Sequence, residues 1–299
     1  MTTDGSDSHQ SIARLAADHE LGVDSARIRV VEAGLDYRVA FAVAEDDSEW
    51  VLRIPRRHDV ADKIADEARI LDFVRDRLTV SVPDWRIRSR DLIAYPLLPG
   101  EPGLTLSDEG EPQWHFDAQN PRYARDLGRL IAQLHGISTE DARAAGIPAR
   151  SSAQVREEWQ SRLERVADAF AVDSGLLDQW RAWIGDDQMW PEYTAFTHGE
   201  LYPAHVLLDP DGTVRSVLDW TTAEVGDPAV DFMYHHMLST PETFRATVDA
   251  YQEATGREPQ RLEQRCAALV AAGPLTYAEY ALTTGDPDHA ATAAAQLNP

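Results

Sequence analysis

His198-Gly199-Glu200-Leu201-Tyr202-Pro203-Ala204-His205-Val206-Leu207-Leu208-Asp209 is the stretch on which the reading of this chain turns. Pro210-Asp211-Gly212 follow, then the run Val214 to Leu218, then Asp219-Trp220. The two apolar runs, His205 to Leu208 and Val214 to Leu218, flank the turn formers Asp209-Pro210-Asp211-Gly212 and predict a β-hairpin. Such a hairpin starts with His205 and ends at Asp219, so its strand ends can aim both groups at one metal. Phosphoryl transfer needs a carboxylate to orient the acceptor hydroxyl and separate ligands for Mg²⁺. Glu200, His205 and Asp219 are the candidates this stretch offers for those needs. His205 is the weaker ligand, because Mg²⁺ prefers hard oxygen donors. A zinc site built from His198, Glu200, His205 and Asp219 is the competing reading.

Upstream of this stretch the sequence changes period. Ser11 to His19 predicts a helix, and Ile28 to Val31, Tyr37 to Ala44 and Trp50 to Ile54 predict three strands in a meander, with Gly34-Leu35-Asp36 as the first turn. Ala61 to Leu78 carries Ile64, Ala68, Leu71 and Val74 at helical spacing and stops before Val82-Pro83. Two further strands, Trp85 to Arg88 and Leu92 to Leu97, precede the breaker Pro99-Gly100-Glu101-Pro102-Gly103, where the lobe boundary is expected. Arg53 ends the third strand and Glu67 lies inside the next helix, so the two could pair. Arg53, Arg56 and Arg57 could equally form a solvated basic edge, with Glu67 on the helix's polar face.

Downstream of Ser107 to Asn120, which is rich in turn formers, helical patterns dominate, beginning with Arg122 to His135 and Val155 to Phe170 and ending with Ala290 to Leu297. Asp227 and Asp231 lie four apart at a helix start, where carboxylates favour the helix dipole, so structural duty accounts for either. His235 and His236 are adjacent on a helix and cannot face one site, which makes them structural. Leu238, Phe244, Leu269, Val270, Leu275, Tyr277 and Tyr280 suit either an apolar substrate wall or core.

A chain of 299 residues suits two lobes sharing a cleft, and an apolar fraction of 43% is ordinary for a globular protein. No apolar run is long enough to span a bilayer. Met1 to Gln10 is polar and acidic, unlike a secretory signal, and is expected to be a frayed tail in a cytoplasmic protein. A net charge of −23 disfavours nucleic acid and anionic membranes as partners. The one lysine, Lys63, has no glycine beside it, so there is no P-loop. Cys266 sits among Ala267, Ala268 and Leu269 and reads as a buried small hydrophobe.

Protein kinases place His-x-Asp, then a metal-binding amide five residues beyond that Asp, then a second metal-binding Asp after a hairpin. The spacing from His198 through His205 to Asp219 follows that order. Together with WVLRIPRR at 50–57, EARIL at 67–71, VPDWR at 82–86, LIAYP at 92–96, HGELYPAHVLLD at 198–209, LDW at 218–220 and DPAVD at 227–231, the chain resembles the aminoglycoside phosphotransferase and protein kinase-like superfamily. Within it, the resemblance is to the macrolide 2′-phosphotransferases, in which arginine at position 53 and histidine at position 205 are both usual.

The resemblance implies an α+β bilobal kinase-like fold. Residues 1–98 would form a small, mainly antiparallel nucleotide-clamping lobe, and residues 99–299 a large helical lobe with the catalytic β-hairpin. It also implies Mg²⁺ on His205 and Asp219, and GTP or ATP held by Gly34, Asp36, Arg53, Glu67 and the Tyr95 to Leu98 hinge, Tyr95 and Leu97 included. Glu200 would be the catalytic carboxylate, with Tyr202 and Asp231 on the macrolide. A monomer is expected. The family normally has Asp where this chain has Glu200, whose extra methylene moves the carboxylate by about 1.5 Å. An aminoglycoside or other small-molecule kinase of the same fold, or a catalytically weakened homologue, are the alternatives.

Overall fold

The computed structural model describes residues 5–32, 36–107 and 110–299. The chain opens with α1 (Gly5–Asp18), β1 (Arg29–Val31), β2 (Tyr37–Val43), β3 (Glu49–Pro55) and α2 (His58–Val74), then β4 (Ile87–Arg88), β5 (Ile93–Pro96), β6 (Glu101–Pro102), β7 (Leu104–Leu106) and β8 (Pro112–Trp114). Helices α3 (Pro121–His135), α4 (Thr139–Ala144), α5 (Ser152–Ala169) and α6 (Ser174–Gly185) lead to β9 (Ala195–Thr197), β10 (Val206–Leu208), β11 (Val214–Val217) and β12 (Glu224–Gly226). The chain then finishes with α7 (Val230–Leu238), α8 (Pro241–Thr255), α9 (Leu262–Ala271), α10 (Gly273–Thr284) and α11 (Pro287–Leu297).

The fold is mixed α+β of the kinase-like kind, and the chain divides into two compact units. One comprises residues 1–117 with 203–221, the other 118–202 with 222–299. This division differs from a boundary at Pro99 because the hairpin β10–β11 groups with the strands: Leu207 and Leu208 pair with Pro102 and Glu101, and Ser216 bridges Ser81.

In the first unit, β1-β2-β3-β5-β4 form a sheet in which every neighbouring pair is antiparallel. Alternation along the strands sorts the residues to two faces. Ala40, Ala42, Leu52 and Ala94 join Ile12 and Ala16 of α1 in one core, which sends Arg53 to the opposite face. The three strands of the meander are where the sequence predicts them. Three differences stand out. Helix α1 starts at Gly5, so residues 5–10 are helical rather than a frayed tail. Helix α2 starts at His58 and ends at Val74 rather than running to Leu78. The turn-rich stretch after Gly103 closes a small hairpin, β7–β8.

In the second unit, α3 lies so close to α8 that a Cβ on Gly128 would stand 2.3 Å from the Thr247 carbonyl oxygen. A core of Val155, Leu163, Trp180, Ile184, Trp190 and Leu275 joins α5, α6 and α10. Phe244, Leu269 and Leu275 are buried, so the apolar-wall reading of those three gives way to core. Cys266 is fully buried, and burial pushes its thiol up to about 12. Among the described residues no helix is long and apolar enough to cross a membrane.

Candidate active site

In the first unit, β3 carries Arg53 into a buried ion pair. Its Nη1 donates to Glu67 Oε1 of α2 at 3.1 Å, and the residues are only 8% and 1% exposed. Burial opposes the guanidinium's charge, but Glu67, Tyr95 and Asp219 together outweigh it, so Arg53 holds its proton more tightly than a free arginine. Burial pushes the Glu67 carboxyl up while Arg53 pulls it back. Glu67 Oε2 is buried without a well-formed hydrogen bond, the Trp220 backbone being its polar neighbour. The Arg53 guanidinium carbon stands 4.0 Å from the centroid of the Tyr37 ring and 5.8 Å from that of Trp85. The solvated-edge reading of Arg53 and Glu67 is therefore overturned, whereas Arg56 and Arg57 do pair near the surface, with Glu32 and Asp36.

The hairpin brings His205 and Asp219 together, with Nε2 3.9 Å from Oδ2 and both side chains partly exposed. Asp219 adopts a left-handed backbone, φ 57°, rare for a non-glycine residue and typical of functional corners. That corner is fixed on one side by the fully buried Trp220, whose Nε1 donates to the Val217 carbonyl at 3.1 Å. On the other, Thr221 Oγ1 donates to Asp219 Oδ1 at 2.6 Å, which leaves Oδ2 as the oxygen facing His205. One carboxylate and one imidazole fit a divalent ion that takes its other ligands from water and phosphate, as Mg²⁺ does. A zinc site would need at least three protein ligands, and among the described residues no group of three His, Cys, Asp or Glu converges.

Of the other expected nucleotide contacts, Gly34 lies outside the described residues. Asp36 Oδ1 accepts from Arg57 Nη2 at 2.8 Å. Tyr95 is buried in β5 opposite Val51, and the Leu97 N–H donates to the Glu49 carbonyl at 2.8 Å, so that hinge donor is spent within the sheet.

In the second unit the loop after β9 is held from beneath. Gly199 takes φ 87°, a conformation costly for any side chain, and a Cβ there would meet the Thr222 carbonyl oxygen at 2.8 Å. Its N–H donates to Asp231 Oδ1 at 2.8 Å, and the His198 N–H donates to Oδ2 at 3.3 Å. The same Oδ2 lies 3.1 Å from His135 Nε2, and His135 Nδ1 lies 3.1 Å from the Tyr251 hydroxyl. Asp231 is 1% exposed. Its carboxylate is thus engaged in fixing the loop, which corrects the expectation that it contacts substrate. His198 is fully buried, its Nδ1 accepting the Glu200 N–H at 3.2 Å and its carbonyl accepting Thr222 Oγ1 at 2.9 Å. It shapes the loop.

Glu200 sits on this clamped turn. Burial pushes the Tyr202 and Tyr234 hydroxyls up, Tyr234 to about 12, and the Glu200 carboxylate adds to the rise in both. The two rings meet edge to face, centroids 5.1 Å apart. Sequence reasoning missed Tyr37, His135, Tyr234 and Tyr251. Only His135 left a trace, as a histidine following Leu130, Ile131 and Leu134 on the apolar face of α3. Asp227 is structural, paired with the buried Arg265, and so is His235, whose Nε2 lies 2.8 Å from Thr247 Oγ1.

Residues 27–269 match the model of the phosphotransferase enzyme family. The chain is similar to macrolide 2′-phosphotransferase MphH of Brachybacterium faecium, solved as the apoenzyme, at 48% identity and TM-score 0.91 over 98% of each chain. A solved macrolide 2′-phosphotransferase type I is 35% identical, TM-score 0.92, over 100% of this chain and 99% of that one. APH(2″)-IIia, solved with GDP and kanamycin, shares the fold at 18% identity and TM-score 0.74 over 97% of each chain. With a clamped carboxylate loop, a buried Arg53–Glu67 pair and a His205–Asp219 corner, the chain belongs to the phosphotransferase enzyme family and is a kinase acting on a hydroxyl group.

Proposed function

We propose that this kinase moves the γ-phosphoryl group of a nucleoside triphosphate, GTP in preference to ATP, onto the 2′-hydroxyl of a macrolide's amino sugar. The observation that carries this reading is the likeness over essentially the whole chain to macrolide 2′-phosphotransferases at 48% and 35% identity. Glu200 accepts the hydrogen bond of the acceptor hydroxyl and aims its oxygen at the phosphorus. Its loop is rigid enough to do so, because Asp231 grips the two preceding amides. Arg53 presents a fixed positive charge to the donor phosphates. Asp219 and His205 would hold Mg²⁺, which when bound neutralises charge on the phosphate oxygens. Tyr202, beside Glu200, lines the acceptor side in this reading. The loose transition state of phosphoryl transfer asks for positioning more than for a strong base, which lets the longer side chain of Glu200 serve.

The test is a transfer assay with purified protein, erythromycin or kanamycin as acceptor, and radiolabelled GTP or ATP as donor. Label on erythromycin from GTP, located at the 2′-oxygen by phosphorus NMR, is expected. Label on kanamycin alone would overturn the macrolide reading. Glu200→Ala should abolish transfer and Glu200→Asp should change turnover. If Asp has no effect and Ala leaves turnover intact, Glu200 is not the acceptor-orienting carboxylate.

A further inference from the structure

We propose that Tyr37 is the positioning residue for Arg53, its ring fixing the plane of the guanidinium so that the fork faces the donor phosphates; this rests on the donor-site reading above. An arginine on a strand has several rotatable side-chain bonds, and a single ion pair does not fix its orientation. Glu67 sets the rotation of the guanidinium within its own plane, through the Nη1 contact at 3.1 Å. It leaves the tilt of that plane open. A ring whose centroid is 4.0 Å from the guanidinium carbon closes that freedom, with Trp85 at 5.8 Å as a more distant neighbour.

The sheet register delivers the ring. Val39 faces Arg53 directly across β2 and β3, and Tyr37 faces Pro55, which places Tyr37 on the same face and diagonal to Arg53, within reach of an aromatic side chain. Tyr37 is only 6% exposed, and burial holds its hydroxyl up at about 12, so it meets the arginine as a neutral ring rather than a phenolate. The geometry matters for arginine in particular. A guanidinium recognises phosphate through a planar fork, whereas an ammonium is a point charge with no plane to fix. A strand that carries Arg at 53 therefore has a use for an aromatic residue at 37 that a strand carrying Lys would not have.

GDP binding measured by calorimetry with Mg²⁺ present tests this without any acceptor. Tyr37→Leu, which keeps apolar bulk but loses the π-face, is expected to weaken GDP roughly tenfold, as for a desolvated cation–π contact. The conservative Tyr37→Phe should restore the affinity. In an Arg53→Lys chain the same Tyr37→Leu change should cost markedly less, which a general loss of packing would not do. Should Tyr37→Leu fail to fold, pentafluorophenylalanine at position 37 keeps the ring's shape while cancelling its negative face, and it should bind GDP several-fold more weakly than Tyr37→Phe. Equal GDP affinities for these two, or equal losses with and without the Arg53→Lys change, would overturn the proposal. A wild-type chain that binds no GDP would instead defeat the donor-site reading itself.

Discussion

Replacing Asp231 by Asn keeps the size of the side chain and removes its charge and one acceptor, which makes it the sharpest probe of the loop that carries Glu200. The carboxylate serves three neighbours with two oxygens: the Gly199 N–H at 2.8 Å on Oδ1, and the His198 N–H at 3.3 Å with His135 Nε2 at 3.1 Å on Oδ2. An amide has one oxygen. Its best arrangement keeps that oxygen on Gly199 and turns the NH₂ toward His135, which can accept as the other tautomer. The His198 N–H then faces a donor and is left unpaired in a fully buried place, at a cost of about 1–3 kcal/mol. The surviving bond to Gly199 loses its charge assistance, for roughly 1 kcal/mol more. The sum, about 2–4 kcal/mol, is a large share of the stability of a domain. Urea unfolding followed by tryptophan fluorescence should show the midpoint falling by about 1 M or more. A loop shifted by about 1 Å should lower turnover on the order of 10²-fold. An Asn variant with unchanged midpoint and unchanged turnover would refute the idea that Asp231 holds the loop.

Three further outcomes follow from close contacts and burial. Gly128→Ala gains helix propensity of about 1 kcal/mol but drives a Cβ to 2.3 Å from the Thr247 oxygen, so a net loss of about 1–3 kcal/mol and a drop of several degrees in Tm are expected; an unchanged Tm would mean that α3 and α8 part freely. Burial holds His235 down at about 4, so the unfolded chain takes up a proton that the folded chain refuses. The stability this residue protects is whole above about pH 6.5 and is lost as pH falls toward 4, by about 3 kcal/mol, and His235→Asn should flatten that part of the stability profile. Gly199→Ala should cost turnover far more than donor affinity, since its φ of 87° and the Thr222 oxygen at 2.8 Å force the loop rather than the nucleotide side to move; steady-state kinetics with varied donor separates the two.

The strands of the first unit were legible because alternation and turn formers are local signals, and the His205–Asp219 corner because a hairpin ties two groups at known spacing. Glu67 was legible only as one of two options. A helix's polar face and a buried brace look alike until the opposite sheet face is known. The helix start at Asp231 was legible too, but its grip on the loop was not, for a related reason. Its neighbours in sequence point to a helix start, whereas its partners His198 and Gly199 lie 33 and 32 residues upstream, and His135 lies 96 away. Nothing in a one-dimensional pattern records such pairings. Tyr37 was hidden differently: any strand can carry a tyrosine, and only the register with β3 shows what its ring covers.

The interrupted path of the first unit has a consequence for how the protein is made. Ser216 bridges Ser81, and Leu207 pairs with Pro102 of β6, so these two short segments, made before residue 117, wait for partners that emerge only after residue 203 has been synthesised. At about 5–20 residues per second on the ribosome, those edges stay open for roughly 4–17 s. Throughout that interval the sheet of β1 to β5 is already complete in sequence while β6 has no strand beside it, and that short open edge is what a chaperone would have to hold.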